Sequence, residues 1–180
     1  AICSSPNEQV VHGFADDSPL LEGDILSIDF GVLYKGFFGD SAITVAVGKL
    51  DDDTERLLIA TRESLEQAIE KAVPNGRLSD ISHAVQSWVE PKGFSVVREF
   101  VGHGIGRNLH EAPQIPNYGQ AGQGPRLKSG MTLAIEPMIN AGAPGVKILA
   151  DGWTAVTQDG KRSAHFEHTV AITDNGPEIL

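Results

Sequence analysis

Apolar residues gather first in two runs, 25–33 and 37–47, with Tyr34-Lys35-Gly36 between them; this spacing predicts a β-hairpin. The period then changes. In DDDTERLLIATRESLEQAIEKAVPNG, Leu57, Leu58, Thr61, Leu65, Ala68, Ile69 and Ala72 recur at helical spacing and predict a helix over 53–73. Acidic residues crowd its first turn, where the helix dipole favours them, and Pro74-Asn75-Gly76 stops it. Ile81, Ala84, Val85, Trp88 and Val89 predict a second helix over 79–90, capped by Ser79 or Asp80 and closed by Pro91 and Gly93. Strand patterning returns over 94–101 and is broken at Gly102-His103-Gly104-Ile105-Gly106. Residues 111–130, punctuated by Gly119, Gly122, Gly124, Gly130, Pro113, Pro116 and Pro125, read as a long surface loop. Strands are expected again at 131–139, 146–149, 153–158 and 164–173, with Asp151-Gly152 and Asp159-Gly160 as turns. Strands, two helices, then strands give an α+β fold with an antiparallel sheet. No linker or tandem repeat divides residues 1–180, so one domain is expected.

The hairpin IDFGVLYKGFFGD carries an aspartate in each arm among apolar neighbours. If Tyr34-Lys35 forms the loop, Asp29 faces Asp40; if Lys35-Gly36 forms it, Asp29 faces Ala42 and Asp40 is the diagonal neighbour. Either register puts both carboxylates on one face, about 5 to 8 Å apart at Cβ. Two like charges that close are costly in an apolar sheet unless one is protonated or a cation lies between them. From the hairpin alone, a solvated face with two exposed carboxylates is an equal alternative. Glu136 in MTLAIEPMI and Glu167 in SAHFEHTVAI change the balance, because each is a lone carboxylate in an apolar run. His103 adds an imidazole at a strand end. Four carboxylates and one imidazole make an oxygen-rich ligand set that two divalent cations neutralise. The glycines around His103 do not suit a phosphate loop, since no capped helix follows them.

Composition narrows the class. Of 180 residues 41% are hydrophobic and 21% charged, as in an ordinary globular domain, and the net charge of -10 disfavours nucleic acid and anionic membrane surfaces. The single cysteine, Cys3, allows no internal disulfide. The first twenty residues do not read as a signal peptide, and no apolar run approaches the roughly 20 residues of a membrane span. A cytoplasmic location and a monomeric state are the default expectations.

The contexts IDFGVLYKGFFGDSA, GHGIGRNLHEAPQIPNYG, LAIEPMINAG and DGWTAVTQDGKRSAHFEHT closely resemble the bacterial type I methionine aminopeptidases, over essentially the whole chain. That resemblance implies the pita-bread fold: a curved antiparallel sheet with helices on its outer face. It implies two divalent ions (Co, Mn, Fe or Zn) on Asp29, Asp40, His103, Glu136 and Glu167. Asp29 would be bidentate on one ion, His103 and Glu136 would hold the other, and Asp40 and Glu167 would bridge. Glu136 would also shuttle a proton from water to the leaving amine, and His110 and His12 would hydrogen-bond the substrate. Cys3, Trp153 and Leu109 match positions in the wall of the methionine pocket. His83, His165 and His168 read as structural, with the last two placed to orient ligands around Glu167. The substrate implied is an N-terminal methionyl peptide, the nascent protein, with a small second residue.

The resemblance also implies about seventy preceding residues, including a helix pair over half of the sheet. The chain is therefore expected to be an N-terminally truncated domain, with that half of the outer face bare and the pocket loosened. Two alternatives accompany the main reading. X-Pro aminopeptidases and prolidases of the same fold use the same five ligands, and some relatives bind proteins or RNA without catalysis.

Overall fold

The structure is a computed structural model and describes residues 2–180. Its strands are β1 (Ile2–Pro6), β2 (Gln9–Val11), β3 (Ile25–Tyr34), β4 (Phe37–Ala46), β5 (Ser95–Val96), β6 (Gly102–Gly104) and β7 (Glu111–Ile115), followed by β8 (Thr132–Ile135), β9 (Met138–Asn140), β10 (Val146–Ile148), β11 (Ala155–Thr157), β12 (Ser163–His165), β13 (Glu167–Thr173) and β14 (Gly176–Ile179). Helices α1 (Asp52–Ile69) and α2 (Leu78–Val89) lie between β4 and β5. The main sheet runs β1-β3-β4-β13-β8-β6-β7, with β14 beside β13, and its pairings are antiparallel. Two three-stranded sheets, β10-β11-β2 and β12-β9-β5, complete the α+β fold. The long curled antiparallel sheet carrying two helices is the pita-bread architecture.

The hairpin takes the second of the two registers: Tyr34 opposes Phe37, Asp29 opposes Ala42, and Gly31 opposes Asp40. Lys35 (φ 49°) and Gly36 (φ 83°) form the loop, both in the left-handed region that a tight two-residue hairpin turn requires. Pairing of Glu167 with Ala42 fixes the polarity of the sheet. Asp29, Ala42 and Glu167 share the inner face, while Val170 and Ile172 of β13 and Leu133 of β8 alternate onto the outer one. There they meet Leu57, Leu65 and Ile69 of α1 and Ile81, Val85 and Val89 of α2 in one apolar core. No described helix covers the β1-β3-β4 half of that outer face, where Ile2, Phe30, Val32, Tyr34, Phe37 and Ile43 are exposed.

Helix α1 starts as expected. The Asp51 carboxylate accepts from the Thr54 N–H (2.8 Å) and pairs with Arg162 (2.7 Å); these contacts hold its pKa down at about 2. It ends at Ile69 rather than 73, because the Lys71 and Ala72 N–H groups bond three residues back and tighten the chain into a turn. The cap of α2 is Arg77, not Ser79 or Asp80; Asp80 instead accepts from the Arg77 N–H at 2.9 Å, closing the first turn from inside.

Several strand expectations are corrected. Residues 94–101 supply only β5, and Gly102-His103-Gly104, expected to break a strand, is itself β6 between β7 and β8. A Cβ on Gly102 would lie 2.4 Å from the Ala134 carbonyl oxygen, and one on Gly104 would lie 2.2 Å from that of Ala112. These glycines mark close backbone approach in a central strand, not a turn. The 111–130 loop contains β7, whose Pro113 is tolerated because β7 is an edge strand. It also tucks Asn117 and Leu127 into the interior. The strand expected over 131–139 divides into β8 and β9 at Glu136-Pro137, that over 164–173 divides at Phe166, and Trp153 lies in a turn before β11.

Candidate metal centre

Sheet register brings the five expected ligands together. Asp29, Ala42 and Glu167 form one rank across β3, β4 and β13. Asp40 sits in the next rank, joined to Thr169 by two hydrogen bonds of 2.8 Å: the Asp40 N–H donates to Thr169 Oγ1, which donates to the Asp40 carbonyl. Thr169 opposes Ala134, and Ala134 opposes His103, so His103 lies in that rank, with Gln114 of β7 beyond it. Glu136 leaves β8 two residues after Ala134, on the same face. The Asn117 side-chain amide holds its backbone carbonyl at 2.9 Å.

All five side chains line one cavity of about 410 Å³. The nearest ligand atoms of Asp40, His103 and Glu167 lie within 4.8 Å of one another, and His103 Nε2 is 3.4 Å from Glu136 Oε1. His103 Nδ1 lies 2.9 Å from the Gly104 carbonyl oxygen. That acceptor fixes the proton on Nδ1 and turns an unprotonated Nε2 toward the cavity, as a metal-ligating imidazole requires.

The electrostatics lack a cation. No Lys or Arg is among the residues lining the cavity. Burial pushes the carboxyls of Asp29 and Asp40 up, pushes Glu136 up to about 8, and pushes Glu167 well above the usual carboxylate range. Asp40 Oδ1 and Glu167 Oε1 are buried acceptors without a hydrogen-bond partner. Hard divalent ions suit these orphaned oxygens, and the residues present fit that group.

The expected substrate contacts are placed unevenly. His110 and His12 line the cavity. The His110 ring lies 4.4 Å from His103 in an edge-on arrangement. The His12 ring stacks on Trp153 at 4.5 Å and meets Phe100 edge-on at 5.4 Å. Its backbone has φ 65°, in the left-handed region uncommon for a residue other than glycine, and burial keeps the ring's pKa down. Trp153 lines the same cavity, half exposed. Cys3 and Leu109 are not in its lining: Cys3 pairs with Asp29 across β1 and β3, and Leu109 lies over Gly31. Gln114 and Glu111 line the cavity as well, as do Val11, Phe100 and Met138. In sequence the last three look like ordinary apolar residues, since an apolar pocket wall and an apolar core share one pattern. His168 alternates onto the opposite face of β13, toward α1, so only His165 of the two histidines flanking Glu167 approaches the site. His83 bonds the Gly119 carbonyl at 3.1 Å, outside the cavity.

Because the strand bearing His103 tolerates no added carbon, Gly104→Ala should cost about 1–3 kcal/mol, roughly 2–12 °C in Tm, and should lower activity by moving the imidazole. Gly39→Ala, with nothing within 4 Å of the new carbon, is the matched control. Thermal unfolding of both variants checks this; a Gly104→Ala chain as stable and active as its control contradicts the close-approach explanation.

A curled sheet presenting a carboxylate–imidazole cluster from its inner face defines a metal-dependent hydrolase. The chain belongs to metallopeptidase family M24, whose profile matches residues 1–174. Within that family it is similar to methionine aminopeptidases. It is 58% identical over 180 residues to methionine aminopeptidase 1 of Bacillus subtilis, covering all of this chain and 73% of that protein. The crystal structure of methionine aminopeptidase from Thermotoga maritima superposes with a TM-score of 0.97 at 54% identity, over 99% of this chain and 72% of that one. Prolidase from Pyrococcus furiosus superposes with a TM-score of 0.77 at 24% identity, over 99% of this chain and 48% of that one, a likeness of fold alone. Among the described residues no helix is long and apolar enough to cross a membrane.

Proposed function

We propose that this chain is a metalloaminopeptidase that removes the initiator methionine from nascent proteins, using two divalent cations of Mn, Fe, Co or Zn held by Asp29, Asp40, His103, Glu136 and Glu167. The observation that carries this reading is the convergence of the Asp29, Asp40, Glu136 and Glu167 carboxylates on one cavity that no Lys or Arg lines. Divalent cations supply Lewis acidity there, acidifying water and polarising a carbonyl.

The chain's own groups do the rest. Glu136, whose carboxylate lines the cavity, takes the proton from the attacking water and returns it to the leaving amine. His110 and His12 stand at the cavity wall as hydrogen-bond donors to the substrate carbonyl and to the oxyanion that develops from it. Trp153, Phe100, Val11 and Met138 provide an apolar wall for a methionine side chain. The similarity to methionine aminopeptidases over the full chain favours this substrate over X-Pro peptides, for which the likeness is of fold alone. Nascent chains as substrate place the enzyme in the cytoplasm, and we propose that it acts as a monomer.

Purified chain, stripped of metal and reloaded with each ion in turn, should release methionine from a Met-Ala-Ser peptide and leave an X-Pro peptide intact. Preferential cleavage of the X-Pro peptide would transfer the chain to the proline-directed branch. A chain that binds no metal on reloading would leave a binding protein.

A further inference from the structure

His165 is unused in the mechanism above, and its environment is unusual. It ends β12, is 1% exposed, and neither ring nitrogen has a hydrogen-bond partner. A buried polar group left unpaired is costly, and such orphans in folded proteins call for a reason. Its nearest charged neighbour is Glu136: His165 Nε2 lies 3.6 Å from Oε2, while His103 Nε2 lies 3.4 Å from Oε1 of the same carboxylate. Two imidazoles therefore flank the two oxygens of one glutamate.

The backbone of His165 is held firmly. Its N–H donates to Thr44 Oγ1 and its carbonyl accepts from that hydroxyl, both at 2.8 Å, and Thr44 Oγ1 is 2.8 Å from Ser27 Oγ. Across β12 and β9 it opposes Met138, two residues after Glu136. The ring thus projects from a rigid rung toward Glu136, which sits at the break between β8 and β9. No strand ladder fixes that side chain.

We propose that His165 is a positioning residue for Glu136: its Nε2–H donates to Oε2 and sets the plane of the carboxylate, leaving Oε1 directed into the cavity. At 3.6 Å the pair stands just outside hydrogen-bond range, and a few tenths of an ångström of carboxylate rotation closes it. Catalytic hydrogen bonds are commonly long until the site is occupied. The mechanistic value of this contact rests on Glu136 carrying the proton as proposed above; the contact itself does not.

The test separates the two. In the parent chain, side-chain NMR of isotope-labelled histidine should show a slowly exchanging His165 Nε2–H resonance that shifts or vanishes in Glu136→Ala. A resonance unmoved by that substitution overturns the proposal, whether or not the chain hydrolyses peptides. For catalysis, His165→Leu, which keeps bulk without a donor, should lower kcat about 10–100-fold with KM changed less than about threefold. His165→Gln, which restores a donor, should recover most of that loss, with the Mn affinity of both variants by calorimetry near that of the parent. Equal kcat in the Leu and parent chains, or equal loss in the Leu and Gln chains, would overturn the positioning role. A parent chain inactive on methionyl peptides but with the resonance coupled to Glu136 would keep the contact and sink the proposed reaction.

Discussion

Replacing Glu136 by glutamine is expected to lower kcat by about 10³-fold or more while leaving KM for a methionyl peptide within a few-fold. The substitution keeps the volume and the backbone bond from Asn117; it removes the group able to take and return a proton, together with one charge of the proposed ligand set, which saturating metal offsets. General acid–base groups contribute roughly 10²–10⁴-fold, and 10³-fold is about 4 kcal/mol of barrier. Loss of a contact made equally by substrate and transition state would raise KM instead. The site supports the stronger effect because the Glu136 carboxylate lines the cavity, 3.4 Å from His103 Nε2, among the groups proposed to hold the ions and the attacking water. Steady-state kinetics of the parent and the variant at saturating metal settle this. A variant within tenfold of the parent kcat would take the proton-transfer role away from Glu136 and leave it a ligand only.

The part of the site written in the sequence is the part that violates local rules. Asp29, Asp40, Glu136 and Glu167 stand out because ionised groups do not belong in apolar strands without a partner, and period 2 alone put the two hairpin aspartates on one face. The turn could not be chosen between two registers from sequence. Only the structure shows Lys35-Gly36 in the left-handed region and Asp40 one rank beyond Asp29. Gly102 and Gly104 misled for a physical reason. Glycine serves turns and close backbone contacts equally, and the Ala112 and Ala134 carbonyls that demand it are distant in sequence. Residues 111–130 misled in the same way: Pro113 suits an edge strand as well as a loop. The pocket wall was the least legible. Phe100 and Met138 line the cavity through tertiary placement, and nothing in an apolar strand residue says which face will be lined with water. His165 and His168 looked alike as neighbours of Glu167, and strand alternation separates them: one reaches Glu136 and the other faces the helices.

Removing divalent ions should leave a folded chain that becomes less stable as pH rises from about 6.5 to 8.5, and adding Mn²⁺ at pH 8 should restore it. Asp29, Asp40, Glu136 and Glu167 all have folded pKa values raised above their unfolded ones, so the folded state holds more protons. Their contribution is fully present below about pH 4 and is lost as pH climbs through the folded values, with Glu136 titrating near 8. Each carboxyl still protonated in the fold costs about 1.4 kcal/mol per pH unit over that range. Below about 6.5 the effect is masked, because His12, His165 and His168 have lowered pKa values and destabilise the fold as they charge. The lowered carboxyls of Asp16, Asp24, Asp51, Asp80, Asp151 and Asp159 do not interfere, being ionised in both states throughout the window. Cations bind the ionised ligands and reverse the sign. At 100 times Kd a single ion adds about 2.7 kcal/mol, or roughly 5–11 °C for a chain of this size. Thermal unfolding of chelator-treated, dialysed chain from pH 6.5 to 8.5, with and without Mn²⁺, makes the measurement. If the stripped chain gains stability across that window, or if Mn²⁺ leaves its Tm at pH 8 unchanged, the four carboxylates are not waiting for a cation, and the metal centre they are proposed to form must be abandoned.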